Sequence, residues 1–454
     1  MKKGTCLALA FAGGLLLSVA SVLAMPVQGL AAQRLDVKEV KFVGNEHWNE
    51  EDIRSMLPEL KQKSIDVAKL SSQLEMLNDM QAGKLRADFD MSLEKDGYIL
   101  TINVKEQQTQ HVTTTLSNSG NAYSGNWRLT TTYTNTNLSQ HADNLGVAYV
   151  TSPASDHWND LKQAALVYRT LIPSLGDSAY ITASYSDVSL GQIANFGGIG
   201  ISATGKGHTF GAHYQHNIKY TRAHKQILDV GLDYKHYDNA QDYDYAGTRL
   251  LHGGAEFDVK TASLSYTDIT QRPNHFLAWS VGYTGNINGD EKAFNTYRYG
   301  SDKQYNLLTA SLNDQYRTKN DWIIGLRVSG QYTKNNIVTP EQIGVGGSMS
   351  VRGFQERVAS ADKGYVGSFE IYTPEFLKHS RFLLFTDFAR LVNNHHYNGE
   401  LASDSIASAG LGYRYYDSKN GQSLMLSYAH IYDDLEENAT DVRRPWQLSL
   451  TKTF

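Results

Sequence analysis

The chain has 454 residues, a net charge of −5 and 41% hydrophobic residues, and its mean hydropathy of −0.42 is that of a water-soluble protein. The acidity is spread along the sequence, which excludes the basic footprint of a nucleic-acid-binding protein. The one cysteine, Cys6, lies so early that a processed chain would have no disulfide, no Cys-based zinc site and no cysteine nucleophile. Hydropathy is nonetheless a poor guide here. With 28 Tyr, 38 Gly and only 8 Pro, the later sequence is a long series of short alternating segments. In a membrane barrel every second residue faces a polar interior, so such segments carry a weak apolar signal.

The N-terminus reads as an address. Lys2 and Lys3 precede an apolar run from Leu7 to Ala24, and the small residues Ala31-Ala32 follow. Residues 1–32 are predicted to be a secretory signal peptide, cut near Ala32 or alternatively near Ala24; a membrane anchor is the other reading. No later run of about 18 or more apolar residues occurs, so no transmembrane helix is expected.

Residues 35–107 are expected to form a small α+β domain. Leu35–Val43 alternates like a strand and stops at Gly44-Asn45. Asn49 and the acids Glu50, Glu51 and Asp52 suit a helix start, and Pro58 ends that helix. Val67, Leu70, Leu74 and Leu77 share one face of a second helix over 66–80. Two strands, 84–93 and 98–104, flank the turn Lys95-Asp96-Gly97. Asp88 and Asp90 alternate outward, as on a solvated sheet edge.

From residue 110 to 454 the pattern is that of an all-β transmembrane barrel of about sixteen antiparallel strands. They are predicted near 111–118, 125–135, 143–152, 161–171, 178–187, 207–216, 225–236, 254–266, 275–286, 304–318, 320–333, 364–373, 381–391, 405–417, 422–431 and 444–454. Trp322, Ile324, Leu326, Val328 and Tyr332 oppose Gly325, Arg327, Ser329 and Gln331, which shows the alternation well. Closure into a barrel satisfies every backbone group in lipid. The last strand ranks Trp446, Leu448, Leu450 and the terminal Phe454 on one face.

Arg352 lies in the long loop between the eleventh and twelfth strands, within Gly346-Gly347-Ser348-Met349-Ser350-Val351-Arg352-Gly353-Phe354. A permanent cation inside a membrane barrel is costly unless paired or wetted, so it marks a functional site. Alternation puts Phe385, Asp387 and Ala389 on one face, opposite Phe382, Leu384 and Phe388, so Asp387 is expected to face the lumen. Lumenal Arg169, Arg327 and Arg414 are candidates to line a pore, His395-His396 is a weak candidate metal site, and Asp433, Asp434, Glu436 and Glu437 form an acidic loop. No Gly-x-Ser-x-Gly elbow occurs, and no catalytic, cofactor-binding or metal residue is assigned.

These motifs carry a family resemblance. The order strand, helix, helix, strand, strand in 35–107 resembles a POTRA domain, the periplasmic module of outer-membrane translocases. Val351-Arg352-Gly353-Phe354 resembles the signature loop of the POTRA–barrel superfamily, and within it the chain is most similar to the two-partner-secretion transporters (TpsB). Ser117–Gly120 with Ser124-Gly125, and Leu161–Pro173, look like further parts of that family's barrel. The resemblance implies a loop folded back into the pore, with Arg352 meeting Asp387 in a Phe-x-Asp-x-Gly motif, here Phe385, Asp387 and Ala389. It also implies a non-enzymatic outer-membrane channel of a diderm bacterium without cofactors, and Phe454 as a barrel-insertion signal. The implied partners are an unfolded secreted client bound by the POTRA domain, outer-membrane lipid or lipopolysaccharide, and the barrel-assembly machinery during biogenesis. An insertase for other surface proteins is the alternative. Full-length relatives usually carry a plug helix and two POTRA domains, whereas this sequence has room for one.

Overall fold

The computed structural model describes residues 33–80, 83–92, 96–120, 125–153, 161–187, 191–196, 199–203, 206–238, 241–245, 248–253, 256–396, 400–435 and 442–454. The expected signal peptide, Leu93 and Lys95 at the expected hairpin turn of the small domain, Ser124, and Glu436 with Glu437 lie outside the described residues.

The first elements form a small α+β domain: β1 (Arg34–Val43), α1 (Glu50–Met56), β2 (Ser64–Asp66), α2 (Val67–Asp79), β3 (Gly83–Ser92) and β4 (Gly97–Glu106). Local chemistry sets the helix starts. The Asn49 side chain accepts the Asp52 N–H at 2.7 Å, and three acids occupy the positive first turn of α1. The Asp66 carboxylate accepts the N–H groups of Ala68 and Lys69 and caps α2. The sheet order is β2-β1-β4-β3, with β1 and β4 parallel and the other pairs antiparallel. Ile53, Leu57, Leu70, Leu77, Leu100 and Ile102 are buried between helices and sheet. The short β2 was not expected, because a strand of this length has too few residues to show an alternation. Asp90 is exposed on the edge strand β3, while Asp88 accepts from Arg86 and Asn103.

Glu106, at the end of β4, holds the preceding loop. Its carboxylate accepts the N–H groups of His47 and Trp48 at 2.8 and 2.9 Å and lies 2.7 Å from the His47 ring. Burial alone would raise this carboxyl, but the hydrogen bonds from Trp48 and His47 outweigh it and hold it below the ordinary carboxylate value. A lowered carboxyl stabilises the fold above its unfolded value and loses that contribution as pH falls through the folded value. The domain should therefore melt at a lower temperature as pH falls below about 4.5. Glu106→Gln should flatten that acid limb; circular-dichroism melts at a series of pH values would show it.

The barrel is a closed meander of sixteen antiparallel strands. They are β5 (Gln110–Ser117), β6 (Arg128–Asn135), β7 (Asn144–Thr151), β8 (Lys162–Ile172), β9 (Asp177–Ser186), β10 (Gly207–Tyr220), β11 (His224–Asp238) and β12 (Glu256–Arg272). The second half comprises β13 (His275–Asn288), β14 (Asn306–Arg317), β15 (Ile323–Tyr332), β16 (Lys363–Tyr372), β17 (Ser380–Val392), β18 (Ser403–Asp417), β19 (Gln422–Asp433) and β20 (Trp446–Thr453). β20 pairs back onto β5 from Ser449–Ser117 to Thr453–Thr113, and the hydroxyls of Thr113–Thr453 and Thr115–Thr451 meet at 3.0 Å. All sixteen strands match the segments expected from alternation. The eighth, expected at 254–266, runs on to Arg272.

Residues directly opposite in a sheet share a face. On β17 Phe382, Leu384 and Phe388 are exposed outward, whereas Phe385, Asp387 and Ala389 are buried inward. The outward rank continues through Leu411, Leu426, Leu450, Val147, Ile181, Phe210, Leu232, Leu264 and Tyr283, all exposed. This is the apolar surface a bilayer would cover. Turns beside the small domain are short, as at Arg272–His275, and those at the far end are long. Two far-end loops carry their own hairpins, Gly191–Phe196 with Ile199–Ala203 and Gln241–Tyr245 with Thr248–Gly253, which alternation did not foretell.

Candidate functional site

The connection from β15 to β16, residues 333–362, is the longest in the barrel, and it folds inward. Gly353 adopts φ +98, and a Cβ there would sit 3.1 Å from Ala429 Cβ and Ile431 Cγ1, so both conformation and space select glycine. Gly353-Phe354 form a short antiparallel pair with Arg443-Arg444, and the Gln355 N–H donates to the Val442 carbonyl at 2.8 Å. The tip of the loop is thereby laid along the segment that leads into β20.

That path delivers Arg352 to the wall. Its Nε and Nη2 donate to the two oxygens of Asp387 at 2.7 Å each, and its backbone N–H donates to the same carboxylate at 3.0 Å. Nη2 also reaches Ser368 Oγ at 3.1 Å, and Nη1 lies 2.9 Å from Glu370. The guanidinium lies over the Phe385 ring, 3.5 Å from its centroid. Asp387 is 0% exposed and Arg352 5%. A fork-to-fork pair of this kind joins charge to a fixed geometry, and the ring face adds a cation–π contact. Glu370 is shared with Arg327 at 3.0 Å and with the Tyr372 hydroxyl. Two guanidinium groups thus face two carboxylates, and no charge in this network is left uncompensated.

Apolar packing surrounds the ionic centre. Val351 and Phe354 are buried with Val345, Ala361, Ala389, Leu391 and Ile406. Ala389 stands where the family motif has Gly, and its methyl fills part of this cluster instead of obstructing the loop. Phe385 packs edge-on against the bare backbone of Gly410, where a Cβ would lie 2.5 Å from the ring.

Two further fastenings went unnoticed in the sequence. At one stem of the loop, Lys235 on β11 donates to both oxygens of buried Glu341 at 2.9 Å, and the Tyr237 hydroxyl donates to the same carboxylate at 2.7 Å. At the other, Arg298 follows the helix α3 (Glu291–Tyr297) and donates to Asp362 at 2.6 Å. Arg298 also donates to both Glu400 oxygens at 2.8 and 2.9 Å and to the Ile337 carbonyl. Asp362 is fully buried and accepts from the backbone N–H groups of Ile337 and Asn394. These pairs join residues far apart in sequence, and no spacing rule links them. The one available signal was Lys235 standing on the inward rank of β11.

Other candidates fall elsewhere. Arg169 donates to Ser178 and Arg414 lies between the Tyr372 and Tyr416 rings, both on inward ranks. Asp433 accepts from Ser405 and Asp434 pairs with Arg443. The His395 carbonyl faces Arg298, and among the described residues no cluster of three or more His, Cys, Asp or Glu could hold a metal ion. Phe454 is exposed beyond β20, its N–H donating to the Val112 carbonyl.

A sixteen-strand closed barrel with an apolar exterior and an ionic, loop-filled interior defines an outer-membrane β-barrel. The family model for the haemolysin secretion/activation proteins ShlB/FhaC/HecB matches residues 96–415, and the chain belongs to this family of two-partner-secretion transporters. Among curated proteins it is similar to the heme/hemopexin transporter protein HuxB of Haemophilus influenzae, 24% identical over 366 residues. That match covers 78% of this chain and 62% of HuxB, so the chain spans less than two thirds of that relative. Among solved structures, CdiB from Escherichia coli shares the fold with a TM-score of 0.71 at 15% identity, over 92% of this chain and 76% of that one. BamA from Haemophilus ducreyi lacking POTRA domains 1–3 gives a TM-score of 0.58 at 14% identity, over 92% and 84%.

Proposed function

We propose that this chain is a protein-translocation channel that takes up an unfolded client on the side of its small domain and exports it through the barrel. In this reading residues 1–32 are removed, 35–107 act as a periplasmic POTRA-like module that binds the client, and Phe454 marks the barrel for insertion by the assembly machinery. Strand addition to the edge of β3 or β2 is the mode of binding such a sheet offers. Lipid and lipopolysaccharide surround the outward apolar rank. The loop 333–362 is the gate, and Arg352 with Asp387, Val351, Gly353, Phe354 and Phe385 form its lock.

The observation that carries this reading is the bidentate Arg352–Asp387 pair within the lumen. A loop fastened there by a charge pair has a closed state, and withdrawing it would leave a polar path. Export would then draw on folding of the client outside, since nothing in the sequence resembles a nucleotide site. An insertase is the second reading, and the short hydroxyl-lined junction of β20 with β5 is the feature that favours it.

Deleting the gene and comparing culture supernatant with outer-membrane protein content separates the two. Loss of one large secreted protein supports export. An unchanged supernatant with depleted barrel proteins supports insertion. No change in either fraction counts against both.

A further inference from the structure

The small domain does not hang free below the barrel. The helix α2 packs against residues of the barrel's inward ranks. Met76, Leu77 and Met80 are buried in one cluster with Leu171 of β8 and Tyr220 of β10, and Ile227 of β11 packs against it. On β11 the exposed outward residues are Val230 and Leu232, so Lys225 and Ile227 point inward. On β8, Ala164 and Leu166 stand opposite the exposed Tyr149 and Val147, so Leu171 points inward too. A helix that buries inward-facing rim residues of three strands lies across the mouth of the lumen on that side.

The polar contacts are as specific as the packing. Asp79, the last residue of α2, pairs with Lys225 and accepts the Tyr220 hydroxyl at 2.6 Å. Glu75, one turn earlier, lies 4.0 Å from the same ammonium, which also sits 4.9 Å from the Tyr220 ring centroid. The Asn217 amide meets Met76 Sδ at 3.8 Å. Carboxylates at a helix C-terminus oppose the helix dipole, so Asp79 and Glu75 are unfavourable for α2 itself. Their compensation comes from the barrel.

We propose that α2 is a cover over the domain-side mouth on the β8–β11 side, held shut by an ionic latch of Asp79 and Glu75 with Lys225 and Tyr220. This rests on the channel reading above. The lumen is then closed twice, by loop 333–362 from the far end and by α2 from the near end. A client has to displace the helix before it meets the loop. The apolar rim that α2 leaves behind, Leu171, Tyr220 and Ile227, becomes the first surface inside the barrel that an incoming chain touches.

The test uses the full chain with Cys6→Ser and a single new thiol at Leu171→Cys, under the helix. Labelling of the detergent-solubilised protein by a bulky maleimide should be slow, and Asp79→Ala with Lys225→Met should speed it by about tenfold or more. Heat-modifiable electrophoretic mobility checks that the barrel is intact in each variant. Separately, Met76→Cys with Asn217→Cys is oxidised in an Arg352→Ala background, where the loop tip is released. Planar-bilayer conductance should fall on cross-linking and return on reduction. Equal labelling rates in parent and latch variants, or a measurable conductance that is the same in oxidised and reduced protein, would overturn the cover. A chain that never conducts although labelling still answers to the latch would overturn the channel and leave the cover standing.

Discussion

Arg352→Ala should release the tip of the inward loop and raise the barrel's ionic conductance, or its frequency of opening, by one to two orders of magnitude. The substitution leaves Asp387, which is 0% exposed, without its cation. Removing one partner of a buried ion pair costs about 3–5 kcal/mol, and each 1.4 kcal/mol is about tenfold in an equilibrium. Part of that cost is recovered when water enters, which sets the expected range below the full conversion. Arg352→Lys keeps the charge but not the two-pronged geometry, and should fall between parent and alanine variant. Arg352→Met with Asp387→Leu should disturb the loop less than either single change, because neither charge is then stranded. Single-channel recording over the four proteins checks all of this. Currents indistinguishable from the parent in Arg352→Ala, even when the α2 latch is also cut by Asp79→Ala with Lys225→Met, would show that the loop does not control the pore.

Arg298→Met should have the second-largest effect, and a different one. Asp362 and Glu400 both lose their cation, and Asp362 is fully buried between the stems of the loop and its neighbours. The expected result is loosening of the far-end assembly, 289–305, 333–362, 393–396 and 400–402, while the Arg352 pair persists. Limited proteolysis of the intact protein should cut these loops about thirtyfold faster or more, for a loss of roughly 2–3 kcal/mol locally. Slow cleavage, equal to the parent, would mean that Arg298 is dispensable for the stem. The contrast between the two variants follows from the fastenings: Arg352 holds the tip, whereas Arg298–Asp362 and Lys235–Glu341 hold the roots.

Much of the fold could be read from alternation, because a barrel strand repeats one simple constraint over its length. Leu411 outward and Gly410 inward follow from parity once one residue of β18 is placed. Parity also put Asp387 on the inward rank. It was the motif likeness, not the alternation, that named Arg352 as its partner. Lys235–Glu341 and Arg298–Asp362 stayed hidden, since each joins a strand or loop to another loop with no register between them. The hairpins of the far-end loops were missed because strands of five or six residues are too short to show a clear alternation. Docking of α2 was illegible for a related reason. Its apolar face fits a helix buried on its own sheet, and Met76 and Met80 give no sign that part of that face belongs to the barrel.

The junction of β20 with β5 has a bearing on how the molecule is made. Thr113 and Thr453 meet across 340 positions of sequence, so the ring can be completed only when its very last strand is available. Until then β5 has an open edge, and entropy opposes bringing such distant ends together. Biogenesis must therefore be slow and late-committing, with nearly the whole polypeptide kept from aggregating before the circle is shut.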